Sequence, residues 1–230
     1  MNLKKLIATA AVGLGIVTGA SSVAVAGDNN GDVMVRVGGS LLTFDAGADV
    51  FVGGVPLAGA DADVSTRFIP SLTLSYFFTK NIAAELYCCF AKLEAEGKGI
   101  LAGADLGDFW VFPPIVTLQY HFDPMGGFKP YVGAGVQYIK FFGEGNATGL
   151  GGAQIQLDDA WGFALQAGVD VELGQGWYLN ADVKKVWLDT EASWQGTAIT
   201  ADVDVDPLII SANLGYRFNL FGPRYVEPLK

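Results

Sequence analysis

The chain has 230 residues, 24 acidic against 14 basic side chains and a formal net charge of −10; 51% of its residues are apolar and only 17% charged. Disordered chains pair low hydrophobicity with high charge, and ordinary soluble domains carry about 25% charged residues, so both classes are disfavoured. The negative charge excludes nucleic acid as a partner, because phosphates would be repelled, and a single His with two Cys leaves little for metal or His-dependent catalysis.

Residues 1–26 read as a secretory signal peptide. Lys4 and Lys5 supply the charged start, the run from Leu6 to about Ala20 the apolar body, and Ala24-Val25-Ala26 a small-x-small cleavage site. After Ala26 no run of 18 apolar residues exists, so no transmembrane helix is available. An exported chain this apolar is then either a secreted soluble β-protein or an outer-membrane barrel.

From there the sequence alternates with period two, which places every second side chain on one face of a strand. The alternation recurs at 33–41, 70–78, 82–90, 116–122, 132–138, 161–173, 177–183 and 204–218. At 161–173 it is clearest: Trp161, Phe163, Leu165, Ala167, Val169, Val171 and Leu173 oppose Gly162, Ala164, Gln166, Gly168, Asp170 and Glu172. Long polar or glycine-rich connections are expected near 44–65, 95–108, 143–157 and 190–203. Short turns are expected at 79–81, 123–129 and 174–176. Long loops at one end and short turns at the other predict an all-β fold, an eight-stranded up-and-down antiparallel transmembrane β-barrel over 27–218. Residues 219–230, which contain Pro and lack a strand pattern, are expected to form a periplasmic tail.

Two features decide which face points outward. The polar face is mostly Gly, Ala, Ser, Gln and Asn, which suits a lumen barely wide enough for side chains and not a solvated surface. On the apolar face Tyr76 and Phe78, Tyr120 and Phe122, and Tyr216 and Phe218 end their strands, as an interfacial aromatic girdle requires. The apolar face is therefore expected to meet lipid.

The inward phase carries Arg36, Glu85, Asp170, Glu172, Asp182, Lys184 and Arg217, mostly toward the short-turn ends. Buried charges must pair or be hydrated, which points to a salt-bridge plug; an ion-selective constriction is the alternative. Toward the long-loop end the same phase turns apolar, with Ile139 and Phe141, and Val186 and Leu188. Residues 51–57 form a greasy segment in the first long connection, read either as a binding surface or as an inward-folded cap. Cys88 is expected to face lipid and Cys89 the lumen, both structural. His121, beside Gln119 and with Asp123 the only acid close in sequence, reads as a hydrogen-bonded interior residue. Residues 143–152 share only glycine content with phosphate loops and hold no nucleotide.

Several segments resemble the outer-membrane protein W family of small barrels. They are Pro113-Pro114 leading to Gln119-Tyr120-His121-Phe122, the run Phe128-Lys129-Pro130-Tyr131-Val132-Gly133-Ala134-Gly135, Asp159-Ala160-Trp161-Gly162, Gly168-Val169-Asp170, and Trp177-Tyr178-Leu179-Asn180. The end, Val205-Asp206-Pro207 through Gly215-Tyr216-Arg217-Phe218, is especially similar. The resemblance implies a hydrophobic channel open to the outside that admits small apolar compounds and releases them sideways into the membrane. It also implies a constriction, which in family members uses a Leu and a Trp; the matching positions here are Tyr87 and Lys184, so its location carries over and its chemistry does not. The expectation is passive uptake of small hydrophobic solutes through an apolar upper lumen by a protein of the Gram-negative outer membrane. Its partners would be outer-membrane lipid, the solutes and the insertion machinery. No cofactor, metal or enzymatic role is expected. A plugged barrel that serves only structure or adhesion is the alternative.

Overall fold

The computed structural model describes residues 31–219; the segment read as a signal peptide and the tail beyond Asn219 lie outside the described residues. In chain order β1 (Asp32–Phe44) is followed by three short strands, β2 (Gly47–Val52), β3 (Val55–Pro56) and β4 (Ala60–Val64). Then come β5 (Arg67–Phe77), β6 (Ile82–Cys88), β7 (Ala91–Gly99), β8 (Asp105–Phe112), β9 (Ile115–His121) and β10 (Phe128–Phe142). After β11 (Asn146–Ala147) and β12 (Ala153–Leu157) the chain forms β13 (Ala160–Gly174) and β14 (Trp177–Trp187). Two further short strands, β15 (Asp189–Trp194) and β16 (Ile199–Asp204), precede β17 (Pro207–Asn219).

Eight antiparallel strands close the barrel in the order β1, β5, β6, β9, β10, β13, β14 and β17, and β17 returns to β1 from Asp32↔Asn219 to Phe44↔Pro207. Over the rungs that neighbouring strands share, closure removes the free sheet edge. The period-two face assignment follows the wall. Trp161, Phe163 and Leu165 are exposed outward, whereas Ala160, Ala164 and Gln166 are buried inward. Aromatic pairs crowd the short-turn end of the outer surface: Tyr76–Phe78 at 5.1 Å, Tyr120–Phe122 at 5.2 Å and Trp177–Tyr216 at 4.9 Å between ring centres. A second group at the other end, Phe90 stacked on Phe112 at 4.8 Å, was not anticipated from sequence.

The long connections at 44–65, 95–108, 143–157 and 190–203 carry strands of their own, which the sequence reading did not assign. β7 and β8 form a hairpin joined by β4, and β11, β12, β15, β16, β2 and β3 form a second sheet at the same end. Their residues alternate like the wall's: Ala91, Leu93 and Ala95 are buried, whereas Lys92, Glu94 and Glu96 are exposed. Shorter period-two runs with charged outer faces fold as strands because their inner faces extend the barrel's own apolar interior. The greasy first connection becomes the β2–β3 hairpin, with Val55 exposed and Leu57 turned to the interior.

Among the described residues the wall is interrupted beside β6. β5 pairs with β6 only as far as Leu72↔Cys88, and β6 pairs with β9 only as far as Tyr87↔Ile115. Beyond these rungs lie Pro70 on β5 and Pro113-Pro114 between β8 and β9, none of which has an N–H to donate. β8 rejoins β10 at Phe112↔Lys140, so that side reseals. Between β5 and β7 no strand ladder is present among the described residues. The Ser65 amide to the Glu94 carbonyl (3.3 Å) and the Arg67–Glu94 ion pair (2.7 Å) bridge the region higher up.

Candidate functional site

The lumen divides into a polar lower part and an apolar upper part. In the lower part Arg36 from β1 grips Asp170 of β13 with two nitrogens, Nε to Oδ1 at 3.2 Å and Nη2 to Oδ2 at 2.8 Å. Its Nη1 donates to Glu85 of β6 at 2.9 Å and to Ser75 of β5 at 2.7 Å. Lys184 of β14 pairs with Glu85 at 3.1 Å and with Asp182 at 2.5 Å. Gln166 donates to both Glu85 (2.9 Å) and Asp182 (2.7 Å), and Tyr131 donates to Asp182 at 2.9 Å. Every one of these charged groups is buried, and each has ionic or hydrogen-bonding partners, which is the condition for keeping charge away from water.

The backbone makes room for this crossing. A Cβ at Gly168 would lie 2.5 Å from the Tyr131 ring, so only glycine lets that ring lie across β13 and reach Asp182. Asn180 then links the Tyr131 hydroxyl (3.0 Å) to Asp170 (2.9 Å). Nearer the short-turn end Arg217 pairs with Asp32 at 2.9 Å and lies over the Phe77 ring at 3.9 Å. His121 is buried between Phe77 and Tyr131, with ring centres 4.9 and 4.7 Å away, and its Nε2 shares a hydrogen bond with Gln119 (2.9 Å). Packing and one amide contact hold this ring in place.

Above Lys184 the interior turns to carbon. One apolar cluster joins wall residues Leu42, Ile139, Phe141 and Leu188 to Leu106, Ile155 and Trp194 of the outer sheets. It encloses a cavity of about 90 Å³, on which Cys89, Gln137, Ile139, Phe141, Leu188 and Ile209 open from the wall. Trp194 closes part of its top, fixed by its indole N–H to the Leu106 carbonyl at 2.9 Å. Tyr87 is buried under this space, with Lys184 Nζ 4.9 Å from its ring centre. Cys88 is half-buried and Cys89 buried, both as free thiols.

The sequence-derived residues separate accordingly. Arg36, Glu85, Asp170 and Asp182 meet in one network, which Lys184 joins instead of lining the apolar space. Arg217 pairs apart from that network, lower in the lumen. Ile139, Phe141 and Leu188 line the cavity, and Val186 is buried in the surrounding cluster. Glu172 is a correction: it keeps the inward parity but is exposed, because the β13–β14 ladder breaks register between Glu172 and Gly174 at the barrel's rim. Sequence reasoning missed Asp32, although it shares parity with Arg36, and, apart from Val52 and Leu57 of the greasy 51–57 segment, missed the cavity residues contributed by the outer sheets.

At the rim Asp159, just before β13, accepts from Tyr138 (2.7 Å), Lys140 (2.9 Å) and the Phe141 amide (3.2 Å). The Tyr138 hydroxyl first, then the Lys140 ammonium, hold its carboxyl below the usual carboxylate range.

Comparison with known proteins gives a consistent result. The sequence matches the OmpW family over residues 29–218. Outer membrane protein W of Vibrio cholerae serotype O1 is 33% identical over 216 residues, which are 90% of this chain and 97% of that protein. The dibenzothiophene metabolism operon protein PahQ of Pseudomonas aeruginosa is 31% identical over 188 residues, 80% of this chain and 87% of that one. The crystal structure of the outer membrane protein OprG from Pseudomonas aeruginosa superimposes with a TM-score of 0.76 at 32% identity, covering 83% of this chain and 97% of that chain.

Proposed function

The chain belongs to the OmpW family of outer-membrane barrels, and from that premise we propose that it takes up small hydrophobic molecules passively through the apolar upper lumen. The observation that carries the reading is the cavity itself: carbon-lined, at the long-connection end of a barrel whose lower lumen is filled by paired charges. Burying apolar surface there is favourable by about 25 cal/mol per Å², so a hydrophobic solute needs no chemistry to enter. The relative named for a dibenzothiophene metabolism operon supports the same class of solute.

The polar lower lumen is an unfavourable path for such a molecule. The unladdered stretch between β5 and β7 lies beside the cavity, where Cys89 and Leu93 open on it, and offers a way out into lipid. Entry from outside and lateral release would together deliver an apolar solute to the membrane without crossing the charged layer. The filled lower lumen also favours a second reading, a barrel that serves only structure.

Titrating the refolded protein with a small fluorescent apolar probe tests the proposal. Saturable one-site binding by the wild type, abolished in Ile139→Asp, is expected, because an unpaired carboxylate in the cavity costs several kcal/mol. Absence of saturable binding in both forms would leave the structural barrel as the better account.

A further inference from the structure

Two aromatic side chains flank the unladdered stretch on its outer surface, and both are held back from it. The inner side of that stretch is lined by Ile69 and Ser71 of β5 and by Cys89 and Ala91 facing them, all buried. Outside, Phe68 and Pro70 stand on β5 and Phe90 precedes β7. Phe90 stacks on Phe112 across the β7–β8 pair and meets Phe142 of β10 edge-on at 6.5 Å between ring centres, so it leans away from β5. Phe68 leans the other way. In the β1–β5 ladder Leu41 faces Phe68 and Gly39 faces Pro70, so the Phe68 ring crosses diagonally to reach Gly39. A Cβ at Gly39 would lie 2.3 Å from Phe68 Cζ, 2.9 Å from Cε2 and 3.3 Å from Cε1, all atoms at the tip of one ring. At neighbouring Gly38 the obstacle would instead be the Ala212 carbonyl, which belongs to the backbone and cannot turn aside. Phe68 is 74% exposed, so little besides the bare backbone of Gly39 fixes where its ring lies.

We propose that Phe68 is the shutter of the side exit and that Gly39 is the positioning residue that holds it open. The inference rests on the uptake reading with lateral release and deepens it. With the ring parked on Gly39, a solute that parts Ile69 from Ala91 emerges between Pro70 and Phe90 directly into lipid. In Gly39→Ala the methyl group takes the place of the ring tip. Gly39 is not among the positive-φ glycines, so the strand accepts the change and the ring is what moves. The β1 side then presents Leu41 opposite and the new methyl diagonally. The ring turns to another staggered rotamer, on the side of β5 that carries no ladder, and with Phe90 it covers the way out.

The test is release of a pre-bound fluorescent apolar probe from barrels in lipid nanodiscs, followed as loss of energy transfer from the barrel's tryptophans, with equilibrium binding measured on the same samples. Wild type is compared with Gly39→Ala, Phe68→Ala and the two substitutions together. Gly39→Ala is expected to slow release about tenfold, because the exit is then uncovered for only a minor fraction of the time. Its equilibrium affinity should equal that of the wild type, since neither residue lines the cavity, and this shows at once that the variant folds. Phe68→Ala, alone or combined with Gly39→Ala, is expected to release at the wild-type rate or faster, because no ring is left to cover the gap. Wild-type release in Gly39→Ala, or slow release that Phe68→Ala does not rescue, overturns the shutter while uptake stands. The contact would then only pack an aromatic ring on a strand glycine. If the wild type binds no probe, the uptake reading fails and this inference falls with it.

Discussion

Glu85 ties the two cations of the lower lumen into one network. Its two oxygens face Arg36 at 2.9 Å and Lys184 at 3.1 Å, with Gln166 at 2.9 Å and Ser75 at 3.2 Å. Desolvating such a cluster is costly, so the intact network adds little net stability, but removing one member strands the rest. Glu85→Ala is therefore expected to lose about 3–5 kcal/mol in unfolding by denaturant. It should also raise single-barrel ion conductance in planar bilayers, because two buried cations lose a shared anion and water follows. Unchanged stability and conductance would show that the charges do not fill the lumen. Asp159 acts outside the wall and titrates. Its depressed carboxyl favours the charged, bonded form, so its contribution is fully present above the ordinary carboxylate value of about 3.9. The contribution is lost as pH falls through the lower folded-state value. Since Asp159 fixes the amide of cavity-lining Phe141, probe release should quicken in acid, by a few-fold at most for so exposed a group. In Asp159→Asn, release should be fast at neutral pH and its acid response flattened.

The hairpin of β7 and β8 does what the wall strands alone do not: it roofs the upper lumen with carbon. Phe109 is buried there, edge-on to Phe141 at 5.6 Å between ring centres. Phe109→Ala is expected to cost about 3–5 kcal/mol if the space does not collapse. Hydrogen exchange should show the loss in β7 and β8, with β13, β14 and β17 still protected. This hairpin also marks how far the sequence could be read. The wall strands were legible because their alternation is long and their outer face is apolar enough to be lipid-facing. In β7 the same alternation, Ala91, Leu93 and Ala95 against Lys92, Glu94 and Glu96, passes for a polar connection because its outer face is charged. The plug was legible as a set, since parity alone puts Arg36, Glu85, Asp170 and Asp182 inside. Which cation meets which carboxylate was not, because Arg36 and Asp170 lie 134 residues apart and meet only across the closed lumen. Parity also says nothing of height, which is why Glu172 looked like a plug residue and proved to be at the rim.

At the scale of the whole barrel the layers dictate a route. Under the proposed uptake, a solute in the upper cavity would stand above the charged layer, below a roof of short strands, and beside the stretch of wall where, among the described residues, β5 and β7 share no ladder. If the solute leaves there, closing that stretch must stop delivery without abolishing binding. The register supplies a staple: Leu72↔Cys88 is the last paired rung, so Ser71 and Cys89 occupy the next one, both with inward side chains. In Ser71→Cys, oxidation to a disulfide with the native Cys89 would tie β5 to the start of β7. Probe binding should persist in the oxidised protein, since most of the cavity lining is untouched. Transfer of the probe into the lipid of proteoliposomes should fall, and a reducing agent should restore it. Transfer at the wild-type rate in the cross-linked barrel would exclude the side opening and leave passage through the charged layer as the remaining path, where Glu85→Ala should then accelerate uptake.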